Sequence, residues 1–171
     1  LLGAGASFLS RENTTPPASD TDARIAYYQT RLGGRGSYPA YARLGLAYLQ
    51  KARETGQSRY FVEAEKYLRT SLQYQTNYEA LLGLGSVLAA RHEFGEALRH
   101  AQEAAGAMPG SLEAQGLLFE IHLAMGDVDR ASAIAEKMVS AGPSFAALTR
   151  VAALREYRGD LAGAAQAIEQ T

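Results

Sequence analysis

The sequence predicts an all-α fold: a right-handed α-solenoid of stacked antiparallel helix pairs, preceded by one extra helix. The first observation is an alanine that follows a short loop every 33 or 34 residues, at Ala64, Ala97, Ala131 and Ala164. The second is a pair of prolines 34 residues apart, Pro109 and Pro143, where a helix would have to stop. The third is composition, because 32 alanines and 17 glycines favour helices that pack closely. This period is that of a helix–turn–helix unit, which buries its apolar face only against a neighbouring unit.

Composition excludes several classes of protein. The 171 residues carry 17 Lys and Arg against 18 Asp and Glu, a net charge of -1, so no general basic field attracts nucleic acid. Cysteine is absent, which excludes disulfides, thiol catalysis and zinc sites with cysteine ligands. We therefore expect no nucleic-acid partner.

Residues 1–20 are expected to form an apolar N-terminal segment followed by a proline-containing linker. The apolar part, residues 1–9, is too short to span a bilayer, which takes about 20 residues. Because the chain begins with Leu1, we interpret it as a fragment or processed chain. Its missing start is then a signal peptide or membrane anchor, which favours an exported or membrane-tethered protein over a cytoplasmic one. The alternative is a cloning boundary within an ordinary apolar segment.

A further hypothesis concerns what this apolar segment contacts. The predicted repeats offer an apolar surface, and the linker is long enough for the segment to turn back onto it. We expect four of its side chains to pack on a repeat surface, of this molecule or a neighbour, and to imitate a partner peptide: Leu1, Leu2, Phe8 and Leu9.

Residues 21–34 are predicted to form a single helix that covers the first repeat. Ile25, Tyr28 and Leu32 have helical spacing. Repeat 1 follows at residues 38–77 and is predicted to have lengthened helices. Its Gly45 and Ala64 are seven residues farther apart in the sequence than Gly85 and Ala97, the equivalent residues of repeat 2. Seven residues are close to two helical turns, so we expect about one added turn on each helix.

Three further repeats complete the predicted array: repeat 2 at 78–111, repeat 3 at 112–145 and repeat 4 at 146–171. The last predicted helix stops without glycine, proline or a cap. We therefore expect repeat 4 to be truncated and the natural protein to continue. Its uncovered apolar face offers a surface for a homodimer.

The pattern resembles the tetratricopeptide repeat family over about residues 38–171. The residues that carry the resemblance are Leu44, Gly45, Tyr48 and Ala64, then Leu84, Gly85, Leu88, Ala97 and Pro109, then Leu118, Gly126, Ala131 and Pro143, and finally Gly159 and Ala164. The first unit looks like that of uncharacterised bacterial proteins of this family, which supply no known chemistry. The sequence departs from the family pattern at Leu81 and Gln115, where Trp is frequent, and at Phe119, which replaces a small residue.

The sequence shows no residue pattern typical of a metal site, a cofactor site or a catalytic site. The histidines have no metal-ligand spacing such as HExxH; they are His92, His100 and His122. Gly83 and Gly85 suggest a dinucleotide fingerprint, but a third glycine and a preceding strand are missing. No nucleophile is paired with a base. We expect no catalytic residue, no cofactor and no metal site.

The resemblance implies that the first helices of the units line a concave, peptide-binding groove. Aligned positions place these residues there: Leu46, Leu49, Glu79, Leu82, Ser86, Glu113, Glu120, Leu123 and Tyr157. One subset of the family holds peptide carboxylates with Lys, Asn and Arg, and the matching positions here carry no such group: Ala42, Leu46, Gly83, Glu113 and Leu117. The predicted groove is small, apolar and mildly acidic, so we expect an apolar or basic partner rather than an acidic one. The alternative is that these residues simply face water.

The predicted function is a non-catalytic protein–protein interaction module that binds a peptide or partner segment on this groove. The first alternative is a structural spacer or self-association domain of a longer protein. The second is an enzyme whose catalytic domain lies outside these residues.

Overall fold

The computed structural model describes residues 20–142 and 144–169, and these residues form α-helices, one 3-10 turn and no strand. The helices are α1 (Thr21–Gln29), α2 (Tyr38–Thr55), α3 (Arg59–Tyr74), α4 (Tyr78–Ala90), α5 (Phe94–Ala107), α6 (Leu112–Ala124), α7 (Val128–Ala141), α8 (Phe145–Tyr157) and α9 (Leu161–Glu169). The expected all-α solenoid is confirmed. Pro143 and the apolar residues Leu1, Leu2, Phe8 and Leu9 lie outside the described residues, so the hypotheses about them stay untested.

The helices pack as a one-dimensional array. Helices α2 and α3, α4 and α5, α6 and α7, and α8 and α9 form pairs, and each second helix also packs on the first helix of the next pair. The first helices contact one another from α2 through α4 and α6 to α8, whereas the second helices of the described chain do not. The array therefore curves toward the first helices, which line its inner face.

Three of the inner helices begin with the same side-chain cap. Asn77, Ser111 and Ser144 each accept a hydrogen bond from the backbone N–H three residues later, at 2.9, 3.0 and 3.2 Å. Such a cap satisfies one of the N–H groups that the first turn of a helix leaves unpaired. The caps fix where α4, α6 and α8 start and so keep the inner helices in register.

Small residues allow the paired helices to approach closely. A Cβ added to Gly45 would lie 2.6 Å from Leu68 Cγ and 3.0 Å from the carbonyl oxygen of Ala64. A Cβ added to Gly85 would lie 3.3 Å from the carbonyl oxygen of Ala97. The backbones of α2 and α3, and of α4 and α5, thus meet where a side chain would not fit.

The first helix pair is longer than the others, mainly through α2. Helix α2 has 18 residues against 13 in α4, and α3 has 16 against 14 in α5. The turn between α2 and α3 begins at Gly56, whose φ of +67° suits glycine and whose N–H donates to the carbonyl of Ala52. The added length therefore lies more in the first helix than the even division expected from the sequence.

The N-terminal helix ends earlier than expected, at Gln29 rather than near residue 34. The carbonyl of Tyr27 accepts hydrogen bonds from the Thr30 hydroxyl at 2.8 Å and the Arg31 guanidinium at 3.1 Å. The backbone N–H of Arg31 donates instead to the carbonyl oxygen of Tyr28. These local bonds replace the next helical turn. Leu32 nevertheless packs on the cluster that joins α1 to α2.

We predict that Ala131→Leu lowers the free energy of unfolding by about 1–3 kcal/mol, because extra atoms overpack a filled helix contact. Ala131 is fully buried in α7. The matched control is Ala133→Leu on the same helix, where the side chain is exposed. Urea unfolding measures both. Equal midpoints for Ala131→Leu and the parent would show that this alanine is not at a close approach.

The same loss of unfolding free energy is expected for Ala97→Leu in α5, because Ala97 is also fully buried.

We also predict that the fold loses stability in mild acid because of His100. Burial lowers the pKa of this histidine, and the neighbouring Arg99 lowers it further. The unfolded chain, with a histidine pKa near 6.5, then takes up the proton first, so stability falls as the pH drops below about 6.5. Above that pH, His100 contributes no such dependence.

The variant His100→Gln should reduce the loss of stability between pH 7.5 and pH 5.5, measured as the shift of the urea midpoint. The control His92→Asn changes an exposed histidine whose φ of +62° asparagine tolerates, and its midpoint shift should match the parent's. An unchanged shift in His100→Gln would contradict the assignment.

Candidate functional site

The inner face of the array carries two neighbouring cavities on the first helices. The larger, about 820 Å³, lies between α6 and α8. The smaller, about 280 Å³, lies between α4 and α6. Glu120 and Ala124 line both, so the two cavities form one groove across three repeats.

The larger cavity is mainly apolar with a charged wall. The residues that line it are Phe119, Glu120, Leu123, Ala124, Met125, Gly126, Thr149, Arg150, Ala153 and Tyr157. Met125 and Tyr157 are 51% and 56% exposed, which is high for large apolar side chains and places them at the rim. A cavity of this volume, with apolar walls and few polar groups, is typical of a ligand site.

Arg150 forms the polar wall of the larger cavity. Its guanidinium donates to Glu120 Oε1 at 2.9 Å and to the carbonyl of Ala146 at 3.2 Å. A Cβ on Gly116 would lie 2.6 Å from the Arg150 guanidinium nitrogen, so the glycine makes room for the arginine. Arg150 is thereby held in place and bridges α6 and α8.

Phe119 forms the floor of this cavity. It stands in register with Gly45, Gly85 and Ala152 of the other first helices, and it is only 2% exposed. A phenylalanine at this position prevents the close approach that the glycines permit in the first two pairs. The family departure noted in the sequence is therefore a feature of the candidate site.

The smaller cavity is lined mostly by small and aliphatic side chains. Its lining residues are Arg53, Ser86, Ala89, Ala90, Phe94, Leu117, Glu120, Ile121 and Ala124. The Ser86 hydroxyl donates to the carbonyl of Leu82 in its own helix at 3.0 Å. This part of the groove has about a third of the volume of the larger cavity, so it suits an extended main chain better than a large side chain.

The structure brings together four of the nine groove residues named from the sequence. Glu120, Leu123 and Tyr157 line the larger cavity, and Ser86 lines the smaller. Glu79 and Glu113 lie on first helices but line neither cavity. Leu46 and Leu82 are half-buried and pack against the core.

Leu49 was predicted to line the groove, and this is wrong. It is 3% exposed and belongs to the same core cluster as Leu84 and Leu88 of α4. Leu49 therefore stabilises the array instead of contacting a ligand.

The groove is less acidic than its sequence indicated. Glu79 is paired with Arg43 at 3.4 Å, and Glu120 with Arg150 at 2.9 Å. Each arginine comes from the neighbouring repeat, and both occupy the register position of Gly83 and Leu117. Two of the three predicted carboxylates are thus neutralised within the groove, because an arginine in an adjacent repeat reaches across to them.

Sequence reasoning missed Arg53, Met125 and Arg150 as groove residues. The signal for Arg150 was present, since alignment on the repeat period places it on the first helix of repeat 4. Arg53 and Met125 lie at helix ends, where repeats of unequal length cannot be aligned position by position. Their places depend on how far each helix continues.

The histidine and carboxylate side chains of the described residues are spread over separate helices and do not form one cluster. In the described parts of the chain, no three His, Asp, Glu or Cys side chains come together in a metal-binding cluster, and no helix is long and apolar enough to cross a bilayer. His92 is exposed, whereas His100 and His122 are buried in separate helices, α5 and α6. His122 lies beside Asp127, with Nδ1 and Oδ2 3.3 Å apart.

Comparison with known families finds a match at residues 88–156 to the tetratricopeptide repeat. This region includes every residue lining the larger cavity except Tyr157. No curated protein matches the chain at a significant level.

Several solved structures share the fold. A crystal structure of MamA has a TM-score of 0.68 at 22% identity, covering 88% of this chain and 85% of that one. A tetratricopeptide repeat protein from Parabacteroides merdae has a TM-score of 0.70 at 19% identity, covering 88% and 57%. YrrB, described as a tetratricopeptide repeat protein with an unusual peptide-binding site, has a TM-score of 0.63 at 19% identity, covering 87% and 75%.

Proposed function

We propose that the chain binds an apolar segment of a protein partner on its inner face, because residues 88–156 match the tetratricopeptide repeat and arrays of this fold serve as protein–protein interaction modules. The module is non-catalytic. A large apolar side chain of the partner enters the cavity between α6 and α8. The partner's main chain crosses the small residues of the neighbouring cavity.

The observation that carries the proposal is the larger cavity itself. Phe119 and Leu123 give it an apolar wall, and the exposed Met125 and Tyr157 form its rim. Methionine adapts to ligands of different shape, and tyrosine supplies contact area at little cost in conformational entropy. Exposed apolar groups around a concave pocket are typical of a partner site.

The partner's chemistry follows from the charges. Glu120 and Arg150, the charged residues that line the larger cavity, pair with each other, so this cavity favours neither an acidic nor a basic side chain. An apolar partner remains favoured, and the sequence-based preference for a basic one loses its main support. The description of YrrB as having an unusual peptide-binding site supports a peptide as the ligand, whatever its side chains.

The experiment selects linear peptides from a random display library and measures their dissociation constants by fluorescence anisotropy. The variant Ala124→Arg should weaken binding at least about tenfold, which corresponds to about 1.4 kcal/mol. Ala124 lines both cavities and is exposed at the end of α6, so an arginine there obstructs the groove without disturbing the core.

The matched control is Ala133→Arg, which introduces the same side chain at an exposed alanine of α7 on the opposite face. It should leave the dissociation constant unchanged. Selected peptides should carry an aromatic or large aliphatic residue. Equal weakening in the two variants, or selection of peptides without such a residue, would refute the proposal.

A second candidate function, a structural spacer that self-associates, is favoured by the outer face of α9. Leu161 is 68% exposed, and Ala162 and Ala165 beside it are also exposed. If a second copy covers this face, light scattering should show a dimer as concentration rises, and Leu161→Glu should restore the monomer. The control Val62→Glu, at a 59% exposed valine of α3, should not change the mass. A monomeric parent at every concentration would reject this function.

A further inference from the structure

The linings of the two cavities carry a net positive charge, although the sequence indicated a mildly acidic groove. Three charged residues contribute to these linings: Arg53, Glu120 and Arg150. Glu120 and Arg150 form an ion pair at 2.9 Å, so their charges compensate each other. The guanidinium of Arg53 is then left as the uncompensated charge of the groove, and it belongs to the smaller cavity.

The added length of the first helix pair brings Arg53 to this place. Arg53 lies in the last turn of α2, and its side chain is exposed. Eight residues after Gly45, α2 is still helical at this arginine. Eight residues after Gly85, the equivalent glycine, the chain has already left α4 and reached Glu93 in the turn. Repeat 1 therefore contributes a cation from a stretch of helix that repeat 2 does not have.

Within the described residues, no carboxylate forms an ion pair with Arg53. The adjacent Glu54 accepts hydrogen bonds from the Thr21 hydroxyl at 2.8 Å and from the Gln50 amide at 3.0 Å, so its carboxylate is directed toward α1. The other two arginines described above on the inner face differ in this respect, because each pairs with a glutamate of a neighbouring repeat. Arg53 is thus available to a carboxylate that a ligand supplies.

The surroundings of Arg53 favour an ion pair with a ligand. Most residues that line the smaller cavity are apolar; Leu117 and Ile121 are buried, and Phe94 is half-buried. Charges attract each other more strongly beside such a low-dielectric surface than in bulk water. A guanidinium also presents parallel N–H donors that match the two oxygens of a carboxylate. The smaller cavity therefore suits a main chain that carries an acidic side chain.

We propose that the partner segment contains an aspartate or glutamate whose carboxylate binds Arg53 at the smaller cavity, beside the large apolar side chain that enters the larger cavity. This inference rests on the proposed function and adds the charge of the partner to it. Because the partner's main chain crosses the smaller cavity, the carboxylate belongs to a side chain and not to the C-terminus of the partner.

The positions of the cavities also set the spacing of the two partner residues. The cavities lie on the two sides of α6, one toward α4 and the other toward α8. Packed helices are about 8–10 Å apart, and an extended chain advances about 3.3 Å per residue. The acidic residue of the partner is therefore about three positions away from its large apolar residue.

A pair of synthetic peptides tests the proposal with the full chain. The first is the tightest peptide from the display library that carries Asp or Glu within about three positions of its large apolar residue. The second has Asn or Gln in place of that acid, and both are amidated at the C-terminus to remove its charge. In fluorescence anisotropy, the acidic peptide should bind about fivefold more tightly than the neutral one. This preference should shrink when NaCl is raised from about 50 to about 500 mM, because salt screens the ion pair.

The variant Arg53→Gln should abolish the preference, because the acidic peptide loses its partner while the neutral peptide keeps its dissociation constant. The matched control is Arg35→Gln, which removes the same charge from an exposed arginine before the other end of α2. Since Arg35 lines neither cavity, this variant should keep the full preference for the acidic peptide.

Three results would each overturn the inference: a library that yields no acidic residue near the apolar one, an unchanged preference in Arg53→Gln, or an equal loss in Arg35→Gln. The variant Ala124→Arg separates this failure from failure of the proposed function. If it weakens both peptides while Arg53→Gln does not distinguish them, the groove binds an apolar segment without a carboxylate contact. If it weakens neither peptide, the proposed function fails, and the contact with Arg53 fails with it.

Discussion

The close approach of first and second helices within a pair is the constraint on which the rest of the array depends. At Gly45 the space available is smaller than a single methyl group, at Gly85 a methyl group would be tight, and the alanines opposite them are fully buried. Backbone contact sets the distance between the helices, and larger side chains then fill the space between pairs. In all four pairs the first helices lie on the same side of the array, where they contact one another and produce a concave face.

The candidate site lies where this constraint is relaxed. Phe119 stands where the first two pairs have glycine, so α6 cannot approach α7 in the same way. The groove deepens at this point, between α6 and α8. Gly116, three residues earlier, has no side chain and so leaves room for the guanidinium of Arg150 from the next repeat. A large residue at position 119 and a glycine at position 116 thus accompany the larger of the two cavities on the inner face.

The repeat period predicted the helix pairs because an alanine recurs at the same position in every unit, at Ala64, Ala97, Ala131 and Ala164. Features within one unit, such as Phe119, were also visible in the sequence, although their meaning depends on the neighbouring helix. Leu49 shows the limit of this reasoning, because it is buried in a core cluster that includes Leu84 and Leu88 of the next helix pair. The ion pair of Glu120 with Arg150 shows another limit, since it joins residues 30 positions apart on different units. Burial at helix ends and pairing between units depend on distances that a repeat pattern does not specify.

The position of Phe119 also divides the hydrophobic core. Leu117 and Ile121 of α6 belong to a cluster that extends back to α2, whereas Phe119 belongs to a second cluster with Ala131, Ala135 and Leu154. In a repeat array, stability is a sum of each unit and its interfaces with its neighbours, so such a division weakens cooperativity at one interface. We expect the parts of the array on either side of this division to unfold as coupled but distinguishable units, joined through α6. A ligand that bridges α6 and α8 adds its binding energy within the smaller unit, and so brings the unfolding of the two halves closer to a single transition.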